Sequence, residues 1–139
     1  MVYRRESLLK RIEKLTEYRH DLKHMSDITF EQYVQDKRIK YSVERLLFLI
    51  SENILDFLDH ILSSQFEIVS ESYEDIIENA FKKKVMDDSL YSKLKGLGGF
   101  RNVLAHEYMN LSDKEVFRNF NKMLKMIDNI IDAFENVVK

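Results

Sequence analysis

Apolar residues recur along this chain at intervals of three and four, the spacing of one face of a helix. Leu8, Ile12, Leu15, Arg19 and Leu22 follow that spacing, which predicts a first helix from about Arg4 to Lys23. After "HMSDIT" a second, long helix is predicted from about Phe30 to Ser63, carrying Tyr33, Tyr41, Leu46, Leu47, Ile50, Ile54, Phe57, Leu58 and Ile61. Its apolar arc is too wide for one partner helix, so a bundle interior plus a second contact, such as another subunit, is expected. "SSQFEIVSES" reads as a connection, and "SYEDIIENAFKKKV" as a short helix with Ser72 placed to cap it. A further helix is predicted from about Ser89 through "GLGGFRNVLAHEY". The last begins at "LSDKEVF", where Ser112 and Glu115 have capping-box spacing, and continues through Val116, Phe120, Met123, Leu124, Ile127, Ile130, Ile131, Phe134 and Val138. The pattern predicts one all-α domain over residues 1–139, an up-and-down bundle of four main helices plus a short one.

Composition narrows this picture. The chain has 139 residues, no proline and three glycines, so few breakers interrupt its helices. It is 45% apolar and 33% charged, the balance of a globular domain, and its net charge of −2 leaves no global basic field, so any nucleic-acid contact must be local. The absence of cysteine removes disulfides, thiol catalysis and Cys-ligated metals, and agrees with a reducing compartment. Charges run through "MVYRRESLLKRIEK" where a signal peptide needs an apolar core, and Glu52, Asp56, Asp59 and His60 interrupt the most apolar run, Leu46 to Leu62. A cytoplasmic protein with no membrane span is expected.

No phosphate loop, dinucleotide fingerprint or H-E-x-x-H signature is present. Glu52, Asp56 and His60 share a helix face at spacings of four. That geometry suits a metal, but a polar stripe hydrogen-bonded inside the bundle or across an interface is the better reading, and no metal or other cofactor is expected. Lys82 to Lys84 read as a solvated face.

The stretch "GFRNVLAHEY" gathers Arg101, Asn102, His106 and Tyr108 directly after Gly96, Gly98 and Gly99. On a helix Asn102 and His106 lie on one face and Arg101 and Tyr108 nearly in line on another, with Arg101 and His106 about 140° apart. One copy of such a helix makes a poor catalytic site, whereas two copies meeting at a dimer axis would bring these groups into a shared cleft. The glycines would allow close backbone approach where such helices pack. Histidine both takes and gives a proton near neutral pH, and arginine presents a permanent charge in a planar fork that matches phosphate oxygens. Together they suit cleavage of RNA through its 2′-hydroxyl, a mechanism that needs no metal. The alternative is a capped helix end, with the histidine satisfying carbonyls and the arginine ion-paired. Spacing leaves both open.

"RNVLAHEY" resembles the R-x-x-x-x-H-x-Y signature of HEPN-domain proteins, in particular the HepT-like toxins, with Arg101, His106 and Tyr108 on the motif positions. "YSVERLLFLISENILDFLDHILS", the approach to the motif and the final helix are similar to that family as well, so the likeness spans nearly the whole chain. The resemblance implies an α-helical homodimer with a composite ribonuclease site. It implies a metal-independent endoribonuclease toxin of a type II or type VII toxin–antitoxin pair, with an MNT-type nucleotidyltransferase antitoxin as partner. Arg101 and His106 become the catalytic pair, Asn102 supports them, and Tyr108 becomes the hydroxyl that the antitoxin modifies with AMP. A non-catalytic module that binds a nucleotide or a nucleotidyltransferase is the competing expectation.

Overall fold

The computed structural model describes residues 5–106 and 111–139. Its helices are α1 (Arg5–His24), α2 (Phe30–Gln35), α3 (Lys37–Phe66), α4 (Tyr73–Lys82), α5 (Asp88–Leu94), α6 (Leu97–His106) and α7 (Asp113–Val137). The predicted bundle is present, but two of its expected helices are each broken in two. At Asp36 the backbone turns extended (φ −107°, ψ 109°), and its carboxylate accepts a hydrogen bond from the Arg38 N–H, ending α2 and capping α3 in one residue. Between α5 and α6 the chain turns at Gly96, whose φ of +93° lies in the region that glycine adopts without strain. α3 also runs past Ser63 to Phe66, stopped by Glu67 in the left-handed conformation.

Local capping chemistry sets several boundaries where it was expected. The Ser72 hydroxyl accepts from the Asp75 N–H at 3.0 Å, and the Ser112 hydroxyl from the Glu115 N–H at 3.3 Å. A full capping box forms at α2, with Thr29 and Gln32 each bonding the other's backbone.

Cross-links between helices give the topology. Arg5 Nε donates to the Val138 carbonyl (2.8 Å), while Arg19 and Lys23 both reach Asp128 at 3.3 Å, so α1 and α7 run antiparallel. Lys40 pairs with Asp113 at 2.8 Å and Phe57 stacks on Phe134 with ring centroids 3.9 Å apart, so α3 and α7 run parallel. α6 runs back along α3, its Arg101 beside Glu52 and its Leu104 and Ala105 beside Arg45 and Tyr41. The order is up, down, up, down, with α4 and α5 packed against one side.

The core is continuous across these layers, and Tyr33, Phe57, Phe120 and Phe134 are its largest fully buried side chains. Each contributes on the order of 1.5–3 kcal/mol of hydrophobic stabilisation. The wide arc of α3 is covered by the chain's own α1, α2, α4, α6 and α7. Its width alone therefore does not require a second copy. Tyr41, at the N-terminal end of α3, is the part left out at 61% exposed. No helix among the described residues is long and apolar enough to cross a membrane.

Candidate functional site

The motif helix is held against α4 at its first turn. A Cβ on Gly98 would collide with the Glu74 backbone nitrogen and come within 2.6 Å of the Tyr73 carbonyl carbon, so only glycine fits. The Glu74 carboxylate in turn accepts from the backbone N–H groups of Gly96 (2.8 Å) and Gly98 (3.0 Å), satisfying donors that the start of a helix leaves open. The close approach expected of these glycines is thus made inside one chain, between α6 and α4. Gly96 serves the turn, and space is open around Gly99.

That seating places Arg101 in a slot. Its Nε donates to Glu52 Oε1 at 2.6 Å, its guanidinium lies 4.2 Å from the centre of the Tyr73 ring and 5.2 Å from that of Phe48, and its side chain is only 13% exposed. Nη1 donates to the Asn102 side-chain oxygen at 3.3 Å. Nε is thus held by the carboxylate and Nη1 by Asn102, with the guanidinium against two rings.

The other predicted members differ from Arg101. Asn102 is exposed apart from that one bond, and His106, the last described residue of α6, is exposed. Tyr108 lies outside the described residues. On α6 the positions of Gly99, Val103 and His106 share one face at spacings of four and three, while Arg101 points to the α3 and α4 side. One chain therefore bonds Arg101 to Asn102 and leaves His106, on the Asn102 side of α6, on a different face from Arg101.

The polar stripe of α3 separates in the same way. Glu52 is taken by Arg101. Asp56 is exposed; thinned solvent around its carboxyl and then the Glu52 charge push its pKa up, while Arg11 and Arg101 pull it down. The hydroxyls of Ser63 and Ser64 fold back onto the His60 carbonyl at 3.3 and 2.6 Å. Among the described residues no three His, Asp or Glu side chains converge as a metal site. Glu52, Phe48, Tyr73 and Glu74 are the site residues that reading the sequence did not assign. For Glu52 a signal existed, since a carboxylate inside an apolar helical run demands a partner.

Away from the site, burial and then the bond to Glu44 (2.9 Å) push the Tyr33 hydroxyl far above its ordinary pKa. Tyr33 is a structural group of the α2–α3 corner.

Comparison with known proteins adds to this geometry. The family model described as "Ribonuclease HepT-like" matches residues 8–134. A tRNA nuclease HepT from Aphanizomenon flos-aquae is 32% identical over 108 residues, covering 77% of this chain and 73% of that protein. Among solved structures, a tri-AMPylated Shewanella oneidensis HEPN toxin in complex with MNT antitoxin superposes with a TM-score of 0.73 at 20% identity, over 98% of this chain and 99% of that one. A variant of the MntA–HpeT toxin–antitoxin complex superposes with a TM-score of 0.77 at 21% identity, over 93% and 97%. The two structures establish a shared fold.

Proposed function

The chain belongs to the HepT-like ribonuclease family, and on that premise we propose that it is an endoribonuclease toxin whose active site is completed by a second copy of itself. The observation that carries this reading is the slot around Arg101. A guanidinium fixed by Glu52 at 2.6 Å and by two aromatic rings is set in place before any substrate arrives, which is what stabilising charge on a phosphorane demands.

In the proposed reaction Arg101 binds the non-bridging oxygens of the scissile phosphate. The 2′-oxygen attacks phosphorus as its proton passes to an imidazole, and the P–O bond to the 5′-oxygen breaks as that oxygen takes a proton from an imidazolium, giving a 2′,3′-cyclic phosphate and a free 5′-hydroxyl. His106 supplies the proton transfer. Because His106 and Arg101 occupy different faces of α6, two motif helices meeting about a two-fold axis bring one copy's imidazole to the other's guanidinium. Asn102 orients the free side of the Arg101 fork. The relative named as a tRNA nuclease makes tRNA the first substrate to try.

The partner in this reading is an MNT-type nucleotidyltransferase antitoxin, and Tyr108 is the hydroxyl it modifies with AMP. An anionic nucleotide two residues beyond His106 blocks RNA by bulk and by charge repulsion. Two experiments test the proposal. Expression should arrest growth and cleave RNA, and His106→Ala and Arg101→Ala should strongly reduce both; equal activity in the variants takes catalysis away from these two residues, and no cleavage by the unsubstituted chain moves it to the binding-module class. Incubation with the antitoxin and ATP should add AMP to the unsubstituted chain and not to Tyr108→Phe, read by mass spectrometry.

A further inference from the structure

An acidic protein that cuts RNA needs a local surface on which a polyanion can rest. Lys114, Arg118, Lys122 and Lys125 recur at spacings of four, four and three and so share one face of α7. All four are exposed, and none pairs with a described carboxylate. The carboxylates at either end of this stretch are engaged elsewhere, Asp113 by Lys40 and Asp128 by Arg19 and Lys23. Between the cations and α2 lies a groove of about 650 Å³ floored by Phe30 and Phe117, whose rings meet edge to face at 5.5 Å. Lys122 also borders a second cleft, of about 360 Å³, walled by Lys93 and Lys95 on one side and by Gly99 and Val103 of α6 on the other, with Glu115 its one acidic neighbour. Gly99 and Val103 share their face with His106.

We propose that this track is the substrate-binding groove, holding a single-stranded segment of RNA that runs from the His106 face of α6 along α7 to α2. Cations four residues apart stand about 6 Å apart along a helix, close to the phosphate repeat of an extended strand. Two half-buried phenyl rings between them give bases an apolar surface to stack on, the combination by which single strands are held without sequence readout. The groove explains how a chain of net charge −2 engages a polyanion. The identity of the ligand rests on the nuclease reading above.

The test is the affinity of the full chain for a short fluorescent uridine RNA, measured in the His106→Ala background. Arg118→Glu with Lys122→Glu should raise Kd by at least about tenfold at about 0.15 M salt, and should flatten the slope of log Kd against log salt by about 1.4. Lys10→Glu with Lys14→Glu, an equal charge change on exposed α1 positions, should leave both within twofold. Arg118→Gln with Lys122→Gln should show the same effect at smaller size, which guards against a charge reversal that unfolds α7. With His106 intact, the groove variants should raise KM and spare kcat. Equal losses in groove and α1 variants overturn the proposal. So does normal RNA binding by the groove variants, including the case in which they bind RNA normally but release the nucleotidyltransferase partner. Failure of the unsubstituted chain to cleave RNA sinks the nuclease reading without touching this binding result. An inactive His106→Ala alongside groove variants that bind normally sinks only the groove.

Discussion

Arg101 and His106 sit five residues apart on one helix, yet they occupy opposite kinds of environment. Arg101 is 13% exposed and held by a carboxylate, two rings and a neighbouring amide from three helices of its own chain. His106 stands on the open side of α6 at the edge of the described structure. In the proposed reaction the group that presents fixed charge is pre-organised by the fold, and the group that exchanges protons is left for a second copy to complete. On that proposal, the contrast accounts for one chain carrying both residues without completing a site by itself.

The sharpest way to break the comparison is to remove each member. His106→Ala should lower cleavage by about 10² to 10⁴ in rate and leave the melting temperature unchanged, because an exposed side chain supports little of the fold. Arg101→Ala should cost about 10² to 10³ in rate and also lower the melting temperature, because it strands Glu52, itself only 29% exposed. Equal stability effects would mean that Arg101 is no better anchored than His106. Thermal denaturation followed by circular dichroism, beside a cleavage assay, reads both.

A smaller change acts on the anchoring alone. Glu52→Gln keeps the shape of the slot but removes the charge on the Arg101 Nε partner, and should slow cleavage by about tenfold to a hundredfold through misplacement of the guanidinium. Its signature is a fall in kcat with KM nearly unchanged, since no contact with remote parts of the RNA is lost.

Gly98→Ala tests the seat of α6. The added methyl meets the backbone of Tyr73 and Glu74, which has no flexible end to move aside, so the helix must shift at a cost of about 1–3 kcal/mol. The melting temperature should fall by several degrees and cleavage should fall with it. Gly99→Ala, where space is open, should not reproduce either loss.

The smallest expected effect is at Asp56. Its carboxyl pKa is raised by desolvation and by Glu52, so the folded chain holds that proton more tightly than the unfolded one. The stabilisation is present below the ordinary carboxylate range and is lost as pH rises through the raised value. At neutral pH the charge is a mild cost, and Asp56→Asn should raise the melting temperature slightly at pH 7 and not at about pH 3. A drop at pH 7 would show that Arg11 and Arg101 outweigh the desolvation.

Local signals in the sequence reached the bundle, its final helix and the caps at Ser72 and Ser112, because each depends on residues within one or two turns. The break at Asp36 was missed because "VQDKRIK" holds no glycine or proline. The aspartate is a start signal as well as a polar residue, and helix periodicity carries across it. The three glycines announced that something approached closely but not that it was the first turn of α4. Glu52 was legible as a carboxylate in need of a partner, while its choice of Arg101, 49 residues away, is decided only when α6 packs on α3. The basic face of α7 hid inside a net charge of −2, because that sum does not show that Asp113 and Asp128, at the two ends of the face, turn to cations of other helices.

The claim that two copies complete one site is tested most directly by mixing. Arg101→Ala and His106→Ala, each inactive alone, should regain RNA cleavage when refolded together, since a mixed pair keeps one intact Arg101 and one intact His106 across the shared cleft. A mixture that forms pairs by light scattering and stays as inactive as its parts contradicts the composite site.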